Sequence, residues 1–174
     1  MHLSVVVRPE LPSDIQSVRE VNLAAFGQPV EADLVDHLRQ SCREALSLVA
    51  ELDGRVVGHI LFTPAELSTP GQSIVGMGLA PMAVLPSFQR RGIGSQLVDE
   101  GLQILRDSRC PFVIVVGHPD YYPRFGFEPA ARHGLSCQWE GVPDEAFMVL
   151  ILDARPMKGV TGVVRYRDEF DAAM

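Results

Sequence analysis

Residues 86–97, PSFQRRGIGSQL, place Gly92 and Gly94 where an amphipathic helix should begin. Glycine lowers helix stability by roughly 1 kcal/mol per residue relative to alanine, so a tight turn or a ligand must offset the loss. The preceding segment, GLAPMAVLP, reads as an apolar strand. The following one carries Ile93, Leu97, Leu102 and Leu105 at helical spacing. A strand, a glycine-rich turn and a helix in succession leave the first helical amides without internal partners, at the positive end of the helix dipole. Such a turn favours an anion. Its glycines let a phosphate approach the backbone, and Arg90 and Arg91 can neutralise phosphate oxygens. The stretch therefore reads as a cradle for a phosphorylated cofactor. It lacks the lysine and spacing of GxxxxGK[ST], and no acidic residue follows at the position a GxGxxG dinucleotide fold needs.

The rest of the chain supplies a mixed α/β frame. LSVVVRP reads as a strand ended by Pro9. LPSDIQSVREVNLAAF reads as a helix capped by Ser13 or Asp14, with Ile15, Val18, Val21, Leu23 and Phe26 as its apolar stripe. EADLVDHLRQS is a second helix with Leu34, Val35 and Leu38 on one side. LSLVAELDGRVVGHILFTPAEL reads as two strands around an Asp53-Gly54 turn. Residues 68–76 hold Pro70, Gly71 and Gly76 and read as a loop. Pro81 cannot donate to a ladder, which predicts a bulge or a splayed edge in its strand. PFVIVVG is a short buried strand, HPDYYPRFGFEPA is aromatic and irregular, and AFMVLILD and TGVVRYRDEF can close a sheet. The fold class expected is α/β, an α+β mixed sheet, in a single domain over 1–174. Residues 1–152 would be its core, and 153–174 a C-terminal extension closing the sheet.

Composition narrows the function. Fifteen basic against 22 acidic residues give a formal charge of −7, which argues against a generic nucleic-acid or anionic-membrane surface. Cys42, Cys110 and Cys137 are scattered, so neither a disulfide framework nor a metal site is expected. The opening MHLSVVVRPELPSD has no basic segment followed by an apolar stretch, and the apolar runs FVIVV and FMVLIL are too short to span a bilayer. A reducing cytoplasm is the expected compartment.

Gln89-x-x-Gly92-x-Gly94 resembles the acyl-CoA pyrophosphate loop of the GNAT N-acetyltransferase superfamily, and LAPMAVLPSFQRRGIGSQLV resembles that family's core motif. YYPRFGF resembles its later Tyr-x-x-x-Gly-Phe element. Spacing and order fit from about residue 3 to 152. The combination of HILFTP, LAPMAVLPSFQRRGIG and VVGHPDYYPRFGF looks most like the bacterial YhbS-like branch. The resemblance implies an acyl-CoA N-acyltransferase fold with splayed central strands and acetyl-CoA as cosubstrate. The pantetheine arm would lie along Met82, Ala83 and Val84, bonded by the backbone of Met82 and Val84. The amides of Gln89, Arg90, Arg91, Gly92, Ile93, Gly94 and Ser95 would take the pyrophosphate, with the Gln89 side chain on the ligand or capping the turn. The reaction implied is transfer of an acetyl group to a primary amine by direct attack in a ternary complex. The amine belongs to a small molecule or a protein. The alternative is a non-catalytic acyl-CoA-binding sensor or regulatory module.

Family members commonly use a tyrosine as acid and a carboxylate, often through water, as base. A backbone amide of the splayed strand can stabilise the developing oxyanion. By position relative to Gly126-Phe127, Tyr122 matches the tyrosine. Pro123 would break a continuing helix there, and a shifted geometry would hand the role to Tyr121. Glu31, before the second helix, is the base candidate, with Asp33, Glu66 and His118 as others; each also fits a solvated or capping role. His59, in VVGHILF, reads as a satisfied core residue, and Phe125 and Phe127 as packing. The region after Glu128 departs from a minimal family core and is expected to form an acceptor wall or a dimer contact, with Trp139 as a lid anchor or a half-buried loop residue. Homodimers are common among proteins of this likeness.

Overall fold

A computed structural model describes residues 4–174. In chain order, β1 (Val5–Pro9) leads to two helices, α1 (Ile15–Phe26) and α2 (Val30–Ser41). Three strands follow: β2 (Leu46–Leu52), β3 (Arg55–Thr69) and β4 (Gln72–Val84). Then come α3 (Ile93–Asp107), β5 (Phe112–Val116) and the short strands β6 (Glu128–Pro129) and β7 (Leu135–Cys137). The chain ends through β8 (Phe147–Ile151), a one-turn helix α4 (Ala154–Met157), β9 (Gly162–Arg165) and a 3-10 segment, Asp168–Ala173. These elements form two compact units.

The first unit holds the described residues up to Phe62, then Pro81–Leu102 and Asp168–Met174. Here β1 pairs antiparallel with β2, and β2 with β3, with a bulge between Ala50 and Glu51. Asp53 (φ 50°) and Gly54 (φ 78°) both adopt the left-handed conformation that a two-residue hairpin requires. Arg8 ties β1 to its neighbours through Asp14 (2.7 Å) and Glu51 (2.7 Å), and Arg19 ties α1 to Asp33 (2.9 Å) and Asp36 (2.7 Å) on α2. The position of α3 depends on two glycines. A Cβ at Gly58 would lie 3.1 Å from Leu97 and 3.3 Å from Ile93, and one at Gly101 would lie 2.3 Å from the Phe62 ring. Helix and strand therefore approach closely, and the turn that opens α3 is held in place by packing behind it.

The second unit holds Thr63–Ala80 and Gln103–Arg167. In it β4 pairs parallel with β5, and β5 pairs antiparallel with β8, which also carries β6. The end of β3 pairs with β9, and β9 runs parallel to β7. Parallel and antiparallel pairs together make the mixed sheet expected of the sequence. Phe112, Val113, Ile114, Met148 and Leu67 are buried at its centre.

Several local expectations need correction. Residues 68–76 are not a loop: β3 and β4 form a hairpin whose turn is Pro70-Gly71, with Gly71 at φ 88°. Gly76 lies inside β4 because a Cβ there would meet the carbonyl of Phe112 at 2.5 Å. The α1 stripe also differs. Ile15 (39% exposed) and Phe26 (38%) lie outward, whereas Asn22 is fully buried. Asp14 occupies the N-cap position of α1, but its side chain makes no capping bond. A 3-10 turn, Pro12–Asp14, precedes the helix, and the Asp14 carboxylate is occupied by Arg8 and the Leu11 amide.

Candidate functional site

In the first unit, β4 ends at Val84, and a 3-10 turn, Pro86–Phe88, carries the chain into the glycine-rich loop. The side chain of Gln89 turns back and donates to the Val84 carbonyl at 2.9 Å, closing this turn. Of its two expected roles, capping is the one the structure shows. Arg90 (φ 62°) and Gly92 (φ 80°) take left-handed backbone conformations. Alternation of this kind turns successive amides toward one side, the arrangement of an anion-binding nest. The first bond of α3 runs from Gln96 N to Gly92 O at 3.1 Å, so the amides of Ile93, Gly94 and Ser95 precede the helical ladder. Ile93 is buried and anchors the turn, while Arg90, Arg91 and Gly92 are exposed.

The loop carries a further cation that periodicity does not reveal. Arg55, at the start of β3, lies over the Phe88 ring at 5.7 Å, and Arg91 lies over the same ring at 5.5 Å. Phe88 is thus a shared platform for two guanidinium groups. The only signal in the sequence is that Arg55 follows the Asp53-Gly54 turn, and pairing across a sheet is not legible from local pattern.

Glu31 lies in the first turn of α2 and accepts from Gln28 Nε2 at 3.0 Å. Asp33 is paired with Arg19. His59 is fully buried in β3, as expected of a core residue. Asn22 Nδ2 lies 3.2 Å from His59 Nδ1 and also donates to the Val18 carbonyl at 3.0 Å. His59 Nδ1 therefore accepts, and Nε2 donates to Ser47 Oγ at 2.9 Å. Ser47 in turn donates to Glu10, which is held by Arg39 at 2.6 Å. Burial, aided by the charge of Arg39, pushes His59 down to about 3, so the ring is neutral at physiological pH.

In the second unit, the β4–β5 ladder consists of Met77–Val113, Gly78–Ile114 and Leu79–Val115, although β4 itself continues to Val84. The loss of pairing expected near Pro81 is observed. After β5, Tyr122 opens a 3-10 turn, Tyr122–Phe125, that Gly126 ends at φ 98°. Pro123 sits in the first positions of this turn, where its missing amide costs no bond. Tyr122 is buried, with its ring against Tyr121 (5.0 Å) and Phe127 (5.7 Å). A Cβ at Gly117 would lie 2.4 Å from Tyr122 Cε2, so that glycine provides the room for the ring. Burial, and secondarily Tyr121, pushes the Tyr122 phenol well above the usual tyrosine range. The Tyr121 ring instead lies under the Arg124 guanidinium at 4.4 Å. Glu66, exposed on β3, accepts from Ser73 Oγ at 2.6 Å, and His118 is exposed.

Among the described residues no group of three or more His, Cys, Asp or Glu is placed to hold a metal, and no helix is long and apolar enough to cross a membrane.

Comparison with known proteins agrees with this geometry. Residues 6–130 match the acetyltransferase (GNAT) domain family. The chain is 43% identical to the uncharacterized N-acetyltransferase YjhQ of Escherichia coli strain K12, over 90% of this chain and 88% of that one. It is similar to the crystal structure of the E. coli GNAT family N-acetyltransferase YhbS in complex with CoA. The TM-score is 0.90 at 36% identity, covering 98% of this chain and 94% of that one. A GNAT family acetyltransferase from Brucella melitensis, solved with acetyl-CoA, matches with TM-score 0.77 at 34% identity, covering 98% of this chain and all of the other.

Proposed function

This chain belongs to the GNAT family of acetyltransferases, and from that premise we propose that it transfers the acetyl group of acetyl-CoA to a primary amine by direct attack in a ternary complex. The observation that carries this reading is the turn before α3. It presents the ladder-free amides of Ile93, Gly94 and Ser95 beside Arg90 and Arg91, as a pyrophosphate requires. The CoA and acetyl-CoA complexes of similar proteins support the same cosubstrate. The match over residues 6–130 draws on both units, which supports reading the chain as one acetyltransferase domain.

Arg90, Arg91 and the amides from Gln89 to Ser95 hold the pyrophosphate, and the pantetheine arm lies along Met82, Ala83 and Val84, bonded by the backbone of Met82 and Val84. Acetyl-CoA supplies an activated acyl carbon with a thiolate leaving group. As the amine nitrogen bonds to that carbon, the carbon–sulfur bond breaks, the sulfur takes up a proton and the nitrogen loses one. Tyr122 serves the sulfur. Its buried phenol keeps its proton in the resting protein and donates it as negative charge develops. Glu31 takes the proton of the amine, through water. The acceptor is a small-molecule or protein amine. Cys42, Cys110 and Cys137 are scattered and form no CxxC pair, which suits work in a reducing cytoplasm.

The test is release of free CoA thiol from acetyl-CoA across a panel of primary amines, with Tyr122→Phe alongside. Turnover by the wild-type chain, reduced about 100-fold or more in the variant with acetyl-CoA binding retained, is the expected result. Binding with no turnover on any amine would favour the sensor reading.

A further inference from the structure

We propose that Tyr166 is a positioning residue, a wedge that holds β4 and β5 apart and so sets the β4 backbone that receives the substrate's pantetheine arm. The inference rests on the acetyltransferase reading above, but its observations are independent of the glycine-rich loop.

The β4–β5 ladder ends at the Leu79–Val115 pair. The Tyr166 hydroxyl is placed at this end. It donates to the Leu79 carbonyl of β4 at 3.2 Å, and the Ile114 carbonyl of β5 lies 3.4 Å from the same oxygen. One hydroxyl thus touches both strands at the last rungs of their ladder. A phenylalanine would fill the same volume but donate to neither carbonyl, and losing a buried hydrogen bond is costly.

The rest of the residue is built to hold that hydroxyl still. Its ring lies over the β4 backbone at Gly78, where a Cβ would come within 2.4 Å of Cε1. Trp139 stacks on it, with centroids 5.4 Å apart and an interplanar angle of 24°. The Tyr166 amide donates to Gln138 Oε1, and the residue is only 4% exposed. Burial pushes the phenol far above the usual tyrosine range, so it keeps its proton and can donate at physiological pH. Trp139 is therefore a clamp on this wedge, and Gly78 is the space the wedge needs.

Two variants test the assignment, each measured for melting temperature, for the Kd of acetyl-CoA by calorimetry, and for amide exchange of residues 77–84. Tyr166→Phe removes only the hydroxyl, and Gly78→Ala pushes the ring away from the opposite side. The expected result in both is a roughly tenfold weaker acetyl-CoA Kd with faster exchange of residues 77–84. In the turnover assay the acetyl-CoA KM rises with it while the amine KM is unchanged. A folded Tyr166→Phe or Gly78→Ala protein with the wild-type Kd would overturn the proposal and leave the acetyltransferase reading intact. A wild-type chain that fails to bind acetyl-CoA at millimolar concentration would overturn both.

Discussion

On the proposed reading, the chemistry of Tyr122 rests on an absent side chain, that of Gly117. The Tyr122 ring occupies space that an alanine at Gly117 would enter at 2.4 Å. Gly117→Ala should therefore move the ring, destabilise the protein by about 1–3 kcal/mol as overpacked cores do, and lower kcat about tenfold or more while acetyl-CoA binding changes little. Melting and turnover assays check the two effects separately. The proposal for Tyr122 comes from a local pattern, its offset from Gly126-Phe127. Gly117 has no such signal, because nothing in a sequence marks the ring that a glycine accommodates. His59 offers the same lesson. Its place in an apolar run identified a core residue, but Asn22 and Ser47, which satisfy it, come from other elements. Its titration is also predictive. The unfolded chain takes up this proton near pH 6.5 and the folded chain only near pH 3, so between those values the unfolded state binds more protons. The stability His59 carries is complete above pH 6.5 and is lost as pH falls. Acidification from pH 6.5 to 5 should cost about 2 kcal/mol through this one group. Thermal melting across that range should show a slope that His59→Gln flattens.

At the scale of elements, the decisive unit is the passage from β4 through the glycine-rich turn into α3. Its sequence announced it, since glycines at a helix start demand a reason. The loop's electrostatics extend further, because Phe88 brings Arg55 beside Arg91. Arg55→Ala and Arg91→Ala should each weaken acetyl-CoA binding about threefold to tenfold at low ionic strength, with the difference from wild type shrinking as salt screens the charges. Calorimetry at two salt concentrations measures this. Gly92→Ala meets no atom within 4 Å but must hold φ 80°, so it should cost about 1–2 kcal/mol through backbone strain alone. The hairpin between β3 and β4 departs from the loop expected there for an identifiable reason. Proline and glycine punctuate residues 70–76, but only Pro70-Gly71 forms the turn, whereas Gly76 answers to the packing of Phe112. Local composition signals a turn. It does not tell a turn glycine from a glycine kept small by a neighbouring strand.

At the scale of the whole molecule, alternating periods of two and 3.6 residues were enough to order the main elements from β1 to β8. The short strands β6 and β7 carry too few residues for a pattern, and the role of the C-terminal segment depends on a tertiary contact, Tyr166 against Gly78, that no local signal carries. A ligand that binds only the folded chain must stabilise it as a whole, by about 2.7 kcal/mol at a hundred times its dissociation constant. For a chain of this length that corresponds to roughly 5–10 °C in melting temperature. The most direct measurement is therefore the melting temperature of the purified protein with and without acetyl-CoA, with ATP and NAD as controls and Gly94→Glu as the loop variant. A rise of that size with acetyl-CoA alone, abolished in Gly94→Glu, is the result expected if the turn before α3 holds the cosubstrate. No rise at millimolar acetyl-CoA would contradict it and leave that turn a purely structural feature.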